Sequence, residues 1–119
     1  MPKIIAAATA DAPYSIPQNE IKNFIYNLFS GTGVDINRLI SVFDNSEISS
    51  RHISIEPEWL SKEHTFKERN EIFSRVAFDM AKKAAEDCLK IANVQPNEVD
   101  SIIYVTSTGI MTPTLDAML

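Results

Sequence analysis

At 119 residues, with 45% hydrophobic and 23% charged side chains, three Gly and six Pro, the chain has the size and composition of one globular domain and not of a disordered segment. The formal charge of −5 is spread, with Lys and Arg scattered among the acids, so no local run of cations offers itself to phosphates and nucleic acid is excluded as a partner. No apolar run approaches the ~20 residues that span a bilayer, and a single cysteine, Cys88, rules out an internal disulfide framework and fits a reducing compartment.

The N-terminus, "MPKIIAAATADAP", has the lone Lys and short apolar patch of a signal peptide. β-Branched Ile4 and Ile5 and the turn residues Asp11 and Pro13 instead favour a strand over residues 3–9, and the expected location is cytoplasmic. Because that run is apolar throughout, it predicts a strand covered on both faces, as at the centre of an α/β sheet. "SIPQNEIKNFIYNLFSG" predicts a helix with Ser15 as N-cap, Pro17 in its first turn and Gly31 as a left-handed C-cap. A second helix is expected over residues 35–43, capped by Asp35, with Ile36, Leu39, Ile40 and Phe43 on one face. Residues 52–55 read as a short strand broken by Pro57.

The strongest periodicity runs from Phe66 to Val94. Apolar residues recur at Ile72, Phe73, Val76, Ala77, Met80, Ala81, Ala84, Cys88, Leu89 and Ala92, the stripe of a long amphipathic helix suited to lying on a sheet. The loop "NVQPNEVD" then leads to residues 101–106 (SIIYVT), which read as a buried strand. Residues 107–114 follow as a loop, and Leu115 opens a first helical turn. Helix-then-strand order of this kind fits crossover units in a largely parallel sheet, hence an α/β fold.

Among candidates for chemistry, Cys88 is the only possible thiol nucleophile. It lies late in the long helix, on the apolar stripe and beside Glu86 and Asp87, whereas an activated cysteine wants a helix N-terminus or a neighbouring His. Packing is the better account of it. His52 and His64 have no partners at metal-ligand spacing, so no metal site is expected. "GTG" at 31–33 follows a helix and not a strand, so it reads as helix termination and not as a phosphate cradle. Glu56 with Glu58 and Glu86 with Asp87 read as solvated surface, and Asp44, Glu47 and Arg51 as a local ion-pair group. The terminal loop stands apart: Thr106, Ser107, Thr108 and Thr112 place four hydroxyls at the end of a predicted strand, where ligands of α/β sheets gather. A turn stabilised by Ser/Thr–backbone bonds explains the same residues, and on composition alone the two readings stand level.

Taken together, "KIIAAATADAPYSIPQNEI", "VFDNSEISSRHI" and "EVDSIIYVTSTGIMTPTLDAML" resemble the N-terminal part of bacterial type III polyketide synthases, the chalcone and stilbene synthase family of thiolase-fold condensing enzymes. The resemblance covers essentially the whole chain and is most specific over residues 43–52 and 106–119. It implies a thiolase-like α/β fold, here the N-terminal portion with an incomplete mixed sheet covered by helices. It also implies a homodimeric acyltransferase that needs no cofactor and takes coenzyme A thioesters as substrates. Such enzymes load an acyl-CoA starter onto a cysteine and extend it with malonyl-CoA by decarboxylative Claisen condensation. A later His and Asn donate hydrogen bonds to the thioester oxygen as it gains charge.

No member of that Cys-His-Asn set falls in residues 1–119, so no catalytic residue is assigned and the chain alone is expected to be inactive, cut before the nucleophile. Carried over position by position, Ser107 and Thr108 match residues of the starter and cyclisation pocket. Thr112 matches the position of a methionine that crosses the dimer interface, and Met111 sits one residue earlier. Arg38 keeps the first of three cations near the coenzyme A tunnel, while Ser41 and Asn45 lack the other two. Two alternatives remain at this stage: a non-catalytic pairing module of a synthase, and a fragment of a β-ketoacyl synthase III-type condensing enzyme.

Overall fold

The computed structural model describes residues 1–119, which divide into two compact units, Ala12–Glu63 on one side and Met1–Asp11 with His64–Leu119 on the other. Each folds around different local signals.

In the Ala12–Glu63 unit the only sheet of the chain forms from β1 (Tyr14–Pro17) and β2 (Ser50–Ile53), paired antiparallel with Tyr14 opposite Ile53 and Ile16 opposite Arg51. Burial alternates along both strands, so Tyr14, Ile16, Arg51 and Ile53 share the covered face. Ser15 therefore lies in a ladder opposite His52 and does not cap a helix as the sequence predicts. The helix-like signal from Ser15 and Pro17 is overridden by a partner strand distant in sequence. Pro17, which has no N–H to give to a ladder, ends β1 and becomes the N-cap of α1 (Gln18–Phe29). Ile21, Phe24 and Ile25 form its half-buried stripe. Gly31, at φ 85°, takes the left-handed turn after Ser30 that the sequence assigns to it. The second helix, α2 (Ile36–Asn45), starts as expected, with the Asp35 side chain accepting from the Arg38 N–H at 3.3 Å. A single turn, α3 (Pro57–Leu60), follows β2.

Gln18 holds these pieces together. Its Nε2 donates to the Phe43 carbonyl at 3.1 Å and to Ser46 Oγ at 2.9 Å, and its Oε1 accepts from Arg51 Nε at 2.8 Å. Its own N–H reaches the Ser49 carbonyl at 2.9 Å. Lys22 pairs with Asp44 at 2.6 and 2.7 Å, and the Arg51 guanidinium lies over the Phe43 ring. The local Asp44–Glu47–Arg51 ion pairing expected from the sequence is thus replaced. Asp44 takes Lys22, and Arg51 takes an amide oxygen and an aromatic face.

In the other unit, α4 (Phe66–Ala92) carries the predicted long periodicity. Thr65 and Glu68 close a reciprocal capping box at its start, with Glu68 N–H donating to Thr65 Oγ1 and Thr65 N–H to Glu68 Oε2. Asn93 ends it in the left-handed conformation at φ 54°, and the Val94 N–H returns to the Leu89 carbonyl. The outer face carries Lys67–Glu71, Lys82–Glu86 and Lys83–Asp87 pairs one turn apart, so Glu86 and Asp87 are paired surface groups. Short 3₁₀ turns follow at Pro96–Glu98 and Leu115–Ala117.

The two central strands that the sequence predicts are absent. Residues 3–9 and 101–106 have no ladder partner, and Ile4, Ile5, Ile103 and Val105 are 94, 71, 90 and 85% exposed. An apolar β-rich run specifies burial but not the neighbour that must accept its backbone hydrogen bonds. Only Ile36 and Leu115 are buried apolar residues, and the chain exposes 9373 Å². Two separate compact units of half this mass would together expose about 7,800 Å². The fold is mixed helix with a small open sheet, and large apolar faces stay uncovered. No helix is long and apolar enough to cross a membrane.

Candidate functional site

The hydroxyl-rich loop at residues 106–114 is built on the N-terminal half of α4. Thr106 Oγ1 accepts the Thr108 N–H at 3.1 Å and donates to the Thr108 carbonyl at 3.0 Å, which closes a Ser/Thr turn at the head of the loop. One of the four hydroxyls is thereby committed to backbone. Ser107 and Thr108 are exposed, and their hydroxyls have no partner within the chain.

Two contacts then press the loop onto α4. Gly109, at φ 71°, lies so close to the Phe73 ring that a Cβ there would overlap three ring carbons. One residue on, the Asn70 carboxamide brackets the backbone of Ile110: Nδ2 donates to its carbonyl at 2.8 Å and Oδ1 accepts its N–H at 2.8 Å. The Asn70 carbonyl in turn accepts Ser74 Oγ at 2.8 Å. Met111 is half-buried and lines a cleft of about 360 Å³ with Asn70, Ser74, Phe78 and Met118. Thr112 is exposed. The far end is anchored by Leu115, which is fully buried at 0% exposure.

Sequence reasoning finds the loop but not its holder. Phe66, Asn70, Phe73 and Ala77 share one face of α4 at helical spacing. A carboxamide at the border of the apolar stripe was the available signal.

Arg38 belongs to the other unit. It is exposed on α2, and its guanidinium has no partner within the chain. Cys88 is half-buried near the end of α4 and lines an apolar groove of about 460 Å³ with Phe78, Leu89, Val99 and Ile102. His64 precedes the N-cap of the same helix, and at 1.5 Å per residue α4 separates it from Cys88 by roughly 35 Å. The His52 ring faces the Ala12 carbonyl at 3.3 Å. The geometry therefore leaves Cys88 a packing residue without a base on its helix.

Against proteins of known name, the chain is similar to a group of synthases. It is 29% identical over 98% of its length to a protein named as a chalcone synthase in Bacillus subtilis (strain 168), covering 33% of that protein. It is 28% identical over 98% of its length to a 3,5-dihydroxyphenylacetyl-CoA synthase of Amycolatopsis balhimycina, covering 30% of it. With a 1,3,6,8-tetrahydroxynaphthalene synthase of Streptomyces coelicolor it shares 32% identity over 81 residues, 67% of this chain and 21% of that one. No protein-family model matches the sequence. The chain spans about a third of the length of the curated relatives it matches most fully.

Proposed function

We propose, for a chain that belongs to the bacterial type III polyketide synthase family, that it forms the N-terminal third of a condensing acyltransferase and supplies part of its substrate-pocket wall. In this reading the complete enzyme has a thiolase-like fold and works as a homodimer in the cytoplasm. It joins an acyl-CoA starter to malonyl-CoA by decarboxylative Claisen condensation, with coenzyme A thioesters as its only small-molecule partners. The observation that carries the reading is the match to synthases across 98% of the chain. The free hydroxyls of Ser107 and Thr108, on a loop seated against a rigid helix, support it further.

Each position has a physical task. Ser107 and Thr108 offer neutral donors and acceptors, suited to the carbonyls of a growing polyketide. Met111 and Thr112 lie at the next step of the loop and reach the dimer partner. Arg38 offers an uncommitted cation to the phosphates of coenzyme A on a chain of net charge −5. The condensing thiolate, its imidazole and its amide are supplied from outside these residues, because Cys88 has no activating neighbour on α4.

Enlarging a wall residue tests the reading. In the complete synthase, Thr108→Leu fills part of the pocket, and the product mixture shifts toward shorter chains while coenzyme A release continues. An unchanged product distribution overturns the pocket assignment.

A second reading, a non-catalytic module that pairs with a synthase, is favoured by the exposed Ile103 and Val105 on an unpaired extended segment. It predicts that the 119-residue chain co-purifies stoichiometrically with a full-length synthase, and that Ile103→Lys abolishes this.

A further inference from the structure

We propose that Asn70 is a positioning residue for the pocket loop, setting through its paired hydrogen bonds to Ile110 where Ser107 and Thr108 stand, and hence which polyketide lengths are made. The inference rests on the pocket reading given under Proposed function and adds a residue that does not itself face the substrate.

The loop has little apolar burial to hold it at this point. Ile110 is 69% exposed, so its side chain contributes little packing. What fixes its backbone is the carboxamide of Asn70, which donates and accepts at once, at 2.8 Å each way. Among side chains of this length only an amide does both: Asp accepts but cannot donate when ionised, and Ser is too short to bracket a peptide unit. Asn70 is half-buried on α4, with Phe66, Phe73 and Ala77 to one side of it on the helix surface and Lys67 and Ser74 to the other. Asn is a poorer helix former than Ala or Leu. What singles Asn70 out is that both of its side-chain hydrogen bonds go to the Ile110 backbone.

The lever is well placed. Ile110 stands between Ser107 and Thr108 on one side and Met111 and Thr112 on the other, so one clamp sets the height of both pairs. Gly109, in close contact with the Phe73 ring, gives the loop a second support next to that clamp. A shift of about 1 Å at the clamp passes directly to the hydroxyls, and displacements of that size alter reactions by up to about a hundredfold.

The test uses the complete synthase carrying this segment, an acyl-CoA starter and malonyl-CoA, with product lengths read by mass spectrometry and total coenzyme A release read in parallel. Asn70→Gln keeps donor and acceptor but moves the clamp by one methylene, so it tests position without loss of bonding. The expected result is a change of about three- to tenfold in the ratio of long to short products, with total release falling less than about threefold. Asn70→Ala gives the same redistribution, and the Ile110 amide exchanges with solvent about tenfold faster. A residue with only a stabilising role would lower all products in proportion, and that result overturns the proposal. An Ile110 exchange rate unchanged in Asn70→Ala overturns it as well. Thr108→Leu, run alongside, separates the two levels. If it redistributes products and Asn70→Gln does not, the positioning role alone fails. If neither does, the pocket reading fails and takes this inference with it.

Discussion

Replacing Gly109 by alanine places a methyl group where the Phe73 ring already stands. The added Cβ would overlap ring carbons Cδ1, Cε1 and Cγ, against an optimum carbon–carbon separation of roughly 3.5–4.0 Å. Two costs combine. Holding alanine at φ 71° costs about 1–2 kcal/mol, and forcing the ring or the loop aside costs about 1–3 kcal/mol. The total is about 2–5 kcal/mol. Gly31→Ala separates the two, because Gly31 has φ 85° but open space around it, so only the backbone cost of about 1–2 kcal/mol remains. The assay is a double-mutant cycle in urea unfolding, with Gly109→Ala measured in the native and Phe73→Ala backgrounds and α4 followed by circular dichroism. Removing the ring should recover about 1–3 kcal/mol of the alanine penalty. A coupling below about 0.5 kcal/mol would show that Gly109 and Phe73 act independently. The seating of the loop on α4 would then be refuted.

Other consequences follow from the same contacts. Gln18→Ala leaves Arg51, Ser46 and the Phe43 carbonyl without their shared partner, and should cost about 2–4 kcal/mol in denaturation followed by Trp59 fluorescence; a loss under about 0.5 kcal/mol contradicts the role given to it. Hydrogen bonds from the Thr65 backbone and hydroxyl hold the Glu68 carboxyl below its ordinary pKa. The unfolded chain therefore binds that proton more readily. The capping contribution is complete above about pH 4.3 and is lost as pH falls through the lower folded value. Amide exchange in the first turn of α4 should accelerate on that descent, and Glu68→Gln should flatten the profile.

What was legible in the sequence was local. The cap Asp35, the apolar stripe of α4 and the turn at Gly31 depend on residues within a few positions of one another, and the structure reproduces the helices they imply. The capping box of Thr65 and Glu68, equally local, is a feature that the structure adds. β1 was misread because its partner, β2, lies distant in sequence, and Ser15 and Pro17 imitate a helix start until that partner is known. The runs at 3–9 and 101–106 have the composition of buried strands, yet composition carries no information on which neighbour pairs with them. The motif over residues 43–52 stood out by resemblance alone. Its physical basis lies in Gln18, which draws in the Phe43 carbonyl, Ser46 and Arg51 from outside their own segment. The same limit applies to the loop. Its hydroxyls and turn residues can be read directly, while Asn70, about forty positions earlier, enters only when α4 and the loop are seen together.

We propose that this chain contributes wall and scaffold to a condensing enzyme whose chemistry lies in other residues. The most direct test is coenzyme A release from malonyl-CoA and an acyl-CoA by the purified 119-residue chain, with Cys88→Ser as the comparison. Release no faster than the protein-free blank is expected for both proteins. Turnover above the blank that disappears in Cys88→Ser would contradict the proposal, because a cysteine read as packing would then be the nucleophile.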